Sequence, residues 1–99
     1  MAPVIRTIIT RIPVIFLKDR RVFIAYSPAF DLSAHGTTPD RAKKNFETAL
    51  RLFLDELFEC GTLSQVLREL GWSKREHQWQ PPTTVTKATS VPFRIPFSA

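Results

Sequence analysis

The chain is poor in the residues that staple or loosen small proteins: among 99 residues there is one cysteine, one methionine and three glycines. A lone thiol, Cys60, cannot close an internal disulfide, so the sequence is read as suited to a reducing, intracellular setting. Long apolar runs are also missing. The longest early one, residues 14–17, falls far short of the roughly 20 residues that a bilayer crossing needs. Arg6 and Arg11 interrupt the segment that could otherwise pass for a signal-peptide apolar region. No membrane association is expected, and a cytoplasmic location is. At 43% hydrophobic and 23% charged residues, wholesale disorder and a collagen-like repeat are excluded as well.

What is present is enough for one small domain over residues 1–99. A chain this short buries only about 60–70% of its unfolded surface, so spare apolar faces are left for partners. Fourteen Lys and Arg against nine Asp and Glu give a formal charge of +5. Such an excess steers a protein toward nucleic acid or an acidic partner and says nothing about fold.

Residues 4–26 are rich in Ile, Val, Phe and Thr, types that suit a pleated surface. Ile12, Val14 and Phe16 alternate, and after Asp19 and Arg20 the alternation resumes at Val22, Ile24 and Tyr26. Period-two spacing around a short charged segment predicts a β-hairpin, with Ile15, Leu17 and Phe23 on its far face. Pro13 lacks an amide donor and separates residues 4–10 from the main strand. Pro28 ends the second strand, and a short third strand is expected over residues 31–35.

A helix over about residues 38–60 follows. Thr38 caps it, Pro39 fits the first helical position, and Asp40 lies at the positive end of the dipole. Ala42, Phe46, Ala49, Leu50, Phe53, Leu54, Leu57 and Phe58 form its apolar stripe, and Gly61 stops it. Thr62 and Gln65 fit a capping box for a second helix, about residues 62–71, with Leu63, Val66, Leu67 and Leu70 on its inner side. Residues 73–90 read as an irregular polar segment containing Pro81 and Pro82. Alternation returns at Val91, Phe93, Ile95 and Phe97, where Pro92 and Pro96 remove donors from the same side; residues 91–97 are expected as an edge strand of the sheet. The fold class is α+β: a small antiparallel sheet packed against one long and one short helix.

The order of Tyr26 and Pro28, Gly36, Thr38, Ala42, Asn45 and Ala49 resembles the HicB-like antitoxin family over residues 21–72. The phrase Gly36-Thr37-Thr38-Pro39-Asp40-Arg41-Ala42 looks like that family's glycine-threonine turn into an alanine-bearing helix. The resemblance implies a partial RNase H-like fold, with a three-stranded meander crossed by the long helix. It also implies a protein-binding function, the steric masking of a small HicA-type toxin that cleaves messenger RNA. The named positions have architectural roles: Gly36 relieves a tight approach, Ala42 and Ala49 let helix and strands lie close, and Asn45 is expected to bond backbone in residues 31–36. Many relatives carry a further helical DNA-binding unit, but no second periodic helix pair follows Gly71, and operator binding is not carried over.

Chemistry is sparse. Glu47, Asp55, Glu56, Glu59 and Glu69 fall on helix exteriors, with no convergence for magnesium. Asp31, Ser33 and His35 share a strand face by parity, yet no nucleophile elbow or oxyanion loop accompanies them. His77 and Cys60 have no metal-ligand spacing, and Cys60 reads as a packed thiol. No catalytic residue, metal or cofactor is expected. Trp72, Lys74, Arg75 and Trp79 mix base and aromatic character. The favoured reading has Trp72 covering the apolar face of the second helix with Lys74 and Arg75 solvated, and the alternative is a surface that grips single-stranded nucleic acid or a protein partner. Three functions therefore follow: an antitoxin-like module with a small toxin partner, a basic nucleic-acid-binding protein, or an orphan interaction domain forming a homo-oligomer, taken as a dimer.

Overall fold

The computed structural model of the chain describes residues 11–82 and 87–98. The β-rich residues 4–10 lie outside these. Strands β1 (Ile15–Asp19), β2 (Val22–Ser27) and β3 (Leu32–Gly36) form an antiparallel meander in the order β1-β2-β3. Helices α1 (Pro39–Glu59) and α2 (Leu63–Glu69) follow, and a separate hairpin pairs β4 (Ser73–Arg75) with β5 (Gln78–Gln80). The α+β class is as the sequence predicts. Among the described residues, no helix is long and apolar enough to cross a membrane.

Local chemistry sets the long helix. Thr38 is its N-cap in extended backbone, and its Oγ1 accepts from the Arg41 amide at 3.1 Å. Gly61 follows the helix with φ 72°, a left-handed turn that glycine adopts without a Cβ clash. Ala42 and Phe46 are buried against Ala25 and Ala34, forming one core cluster beneath α1. The alanines matter because they bring helix and sheet backbones close. At Gly36 the approach is closest: a Cβ there would lie 2.7 Å from the Arg41 carbonyl carbon and 2.9 Å from Ala42 Cα.

The second cluster gathers Ala29, Phe30, Leu67 and Trp72, so the turn after β2 is locked under α2. Phe30 stacks near Trp72, with ring centroids 4.9 Å apart, and meets Phe53 edge-on at 6.5 Å. Indole Nε1 of Trp72 donates to the Ala29 carbonyl at 2.9 Å, satisfying the one polar atom that burial would orphan. Ser27 is fully buried, and its Oγ accepts from the Phe30 amide.

Four expectations need correction. The capping box does not form: Thr62 makes no side-chain cap bond, and Gln65 donates instead to Glu69 one turn on. Phe58 is exposed, because the apolar stripe has drifted off the packed face by that turn. Residues 73–80 are a hairpin within the segment expected to be irregular. Glu76 and His77 take φ of 49° and 66°, the left-handed pair that a tight two-residue turn requires. Finally, residues 91–97 form no strand, and their apolar side chains lie in solvent and not on the sheet. The core beneath α1 is built from β2 and β3 without these residues, so burial on their own sheet does not draw them in.

Candidate functional site

The register of the meander decides which residues face outward. Asp19 pairs with Val22 across the two-residue turn Arg20-Arg21, so even positions in β1 sit opposite odd positions in β2. Residues directly opposite share a face in an antiparallel pair. The parity therefore inverts at the turn. Phe16, Ala25 and Ala34 form a row on the helix side. The other side carries Ile15, Tyr26 and Ser33 in one row, then Leu17, Ile24 and His35, then Asp19 and Val22. Val22, Ile24 and Tyr26 thus leave the face of Val14 and Phe16 and join Ile15 and Leu17 on the opposite one.

This outer face is apolar at its centre and polar at its rim. Leu17 is 49% exposed and Val22 37% exposed, whereas Ile15, Ile24 and Tyr26 are half-buried. At the hairpin end, Asp19, Arg20, Arg21, Val22, Ile24 and His35 line an open depression of about 460 Å³. An apolar centre with charged margins is how protein-binding patches are built. The opposite end is fixed by Tyr26, whose hydroxyl donates to Asp31 Oδ1 at 2.9 Å. That hydrogen bond, followed by desolvation and the carboxylate's charge, raises the Tyr26 pKa above 10.0.

The residues behind the family resemblance divide by role. Pro28 opens the turn between β2 and β3, Gly36 and Ala42 form the close helix–strand contact, and Thr38 is the cap. Asn45 Nδ2 donates to the His35 carbonyl at 2.7 Å, which ties α1 to the margin of β3 as expected. Ala49 is half-buried on α1. Only Tyr26 of this set reaches the outer face.

No family model, curated protein or solved structure matches the chain. Its site is accordingly read from residue geometry.

The aromatic-basic segment is split by the fold. Trp72 is only 5% exposed, so it belongs to the core and not to a nucleic-acid surface. Lys74 pairs with Trp79 on one face of the β4–β5 hairpin, while Arg75 pairs with Gln78 on the other. Trp79 is half-buried against the second core cluster. Arg68 and Lys74 stand 5.7 and 5.8 Å from its ring centroid, so cations of this chain already occupy the ring.

The acid, histidine and thiol groups stay dispersed. Among the described residues, no group of three or more His, Cys, Asp and Glu side chains could hold a metal ion. Asp31 takes φ 49° in the turn and is engaged by Tyr26, so it does not align with Ser33 and His35 as a catalytic set. Cys60 is exposed at the end of α1 and is not the packed thiol expected, since the left-handed Gly61 turns the chain away there. What sequence reasoning missed was the outer face itself. A signal existed in the two-residue Arg20-Arg21 turn, whose even length inverts parity.

Proposed function

We propose that the chain is a non-catalytic, cytoplasmic protein-binding module of HicB antitoxin type, which masks a small HicA-type toxin and so blocks cleavage of messenger RNA. The observation carrying this reading is the outer face of the meander: Leu17 and Val22 exposed beside the half-buried Ile24, between Asp19, Arg20, Arg21 and His35. Support also comes from the positions of the family resemblance. Gly36, Ala42 and Asn45 are engaged in the helix–strand junction that the resemblance implies, which leaves the opposite sheet face for a partner. The dispersed carboxylates favour occlusion over catalysis as the mechanism. An apolar patch of this kind works sterically, by covering the toxin surface that would otherwise meet RNA.

Co-expression with the product of an adjacent short reading frame tests the reading. The expected result is a co-purifying complex in which toxin cleavage of RNA is suppressed, and in which Leu17→Asp or Ile24→Asp releases the toxin. A toxin that stays active and fails to co-purify would refute it. The nucleic-acid alternative rests on the +5 charge, because Trp72 is buried and Trp79 is already flanked by cations. Anisotropy with RNA and DNA oligomers, followed across salt concentration, measures it directly.

A further inference from the structure

The segment 91–97 leaves four large apolar side chains in water: Val91 is 74% exposed, Phe93 78%, Ile95 70% and Phe97 88%. In an extended chain these odd positions all project to one face, and their amides and carbonyls all point to one lateral side. Pro92 and Pro96 fall on the other lateral side, where they remove two donors. The arm can therefore bond a neighbour along one edge only, and it brings a continuous apolar face when it does. Its reach is long. The molecule measures 71 Å along its longest axis against 29 and 24 Å across, and residues 87–98 extended at about 3.3 Å each span roughly 40 Å.

Among the described residues, the meander offers one matching edge. At β3, α1 lies alongside, and the Asn45 amide already occupies the His35 carbonyl. At β1, α1 leaves the strand largely uncovered, and Phe16 (46% exposed) and Leu17 (49% exposed) present apolar surface on both faces. We infer that the arm of residues 91–97 adds as a fourth strand to the β1 edge of a second copy of this chain, giving a two-fold dimer by reciprocal exchange.

The area fits. Two Phe side chains bury roughly 150–250 Å² each, so one arm removes about 500 Å² of its own surface and covers a comparable area on its host. Two arms together then reach on the order of 2,000 Å², the upper end of a standard stable interface. Reciprocal exchange also explains why the prolines sit where they do: once the odd side is bonded, the outer edge of 91–97 keeps a single donor, at Arg94, which disfavours further pairing, and the assembly closes at two chains. This dimer concerns the chain alone; it shares Leu17 with the toxin-masking face, so the arm variant and Phe16→Asp, both outside that face, tell the two readings apart.

Light scattering on the purified full chain across a wide concentration range tests the inference. The expected mass is twice 11.3 kDa, falling to the single-chain value on dilution. The double variant Phe93→Asp with Ile95→Asp should weaken association by about a hundredfold or more, with the helical circular dichroism signal retained. Phe16→Asp on the receiving strand should act the same way. A mass of 11.3 kDa at every concentration, including one in which the arm amides resist exchange because the arm folds onto its own sheet, would overturn the inference. So would a dimer indifferent to the arm variant.

Discussion

Replacing Gly36 by alanine probes the junction on which the whole layer order depends. The added methyl would meet the Arg41 carbonyl carbon at 2.7 Å and Ala42 Cα at 2.9 Å, with the Ala42 amide nitrogen closer still. All three are backbone atoms of the first turn of α1, so no side chain can rotate away. Either β3 and α1 separate, or the helix start distorts and loosens the Thr38 cap and the Asn45 to His35 hydrogen bond. Overpacking of this kind costs about 2–3 kcal/mol. For a domain of this size that corresponds to a fall in Tm of roughly 8–24 °C. Gly61 is the control, because nothing lies within 4 Å of its Cβ position and its φ is 72°. Alanine there meets only conformational strain, about 1–2 kcal/mol, and asparagine, which tolerates left-handed backbone, less than that. The two sites should thus rank their substitutions in opposite order. At position 36 asparagine is worse than alanine because it is larger; at position 61 it is milder. Urea unfolding followed by circular dichroism reads all four variants. A Gly36→Ala variant within about 0.5 kcal/mol of the parent, or the same ranking at both glycines, would refute the steric argument, since overpacking at Gly36 should exceed surface-level effects.

Three further outcomes follow from individual contacts. Trp72→Phe keeps the ring but removes the bond from Nε1 to the Ala29 carbonyl, leaving that acceptor without its partner; urea unfolding should show a loss of about 1–3 kcal/mol. Tyr26 is the chain's single tyrosine, so alkaline ultraviolet titration reads it alone. Its raised pKa, caused first by donation to Asp31, means that the stability it contributes is complete below pH 10.0 and is lost as pH rises through the folded-state value. Asp31→Asn should bring the titration back toward 10.0, and an unchanged midpoint would show that the hydrogen bond is not its cause. Arg20 takes φ 58° in the β1–β2 turn, and Arg20→Gly should raise stability by up to about 1 kcal/mol in thermal melts. A loss there would mean that the arginine side chain holds the hairpin by a contact of its own.

The sequence by itself determined those features whose causes lie within a turn or two of the chain. The cap at Thr38, the proline start and the glycine stop fix α1 locally, because a hydroxyl, a preset φ and a missing Cβ act on adjacent backbone. The same holds for the end of β2 near Pro28, and Asn45 could be assigned a backbone partner because a side amide beside a strand needs one. Tertiary structure decided the rest. The face of β2 that meets the helix depends on the two-residue turn, and one residue more or less would reverse it. Trp72 could be expected to pack on the second helix, but its hydrogen-bond partner, the Ala29 carbonyl 43 positions away, was a tertiary matter. The capping box yielded to Gln65 and Glu69 pairing along the helix face, an alternative of similar local strength. Segment 91–97 has strand chemistry throughout, yet a strand exists only beside another, and within the chain no described strand lies beside it. Local patterns specify what each piece can become, whereas long-range register and burial choose among those states, because their free energy appears only when distant surfaces leave water together.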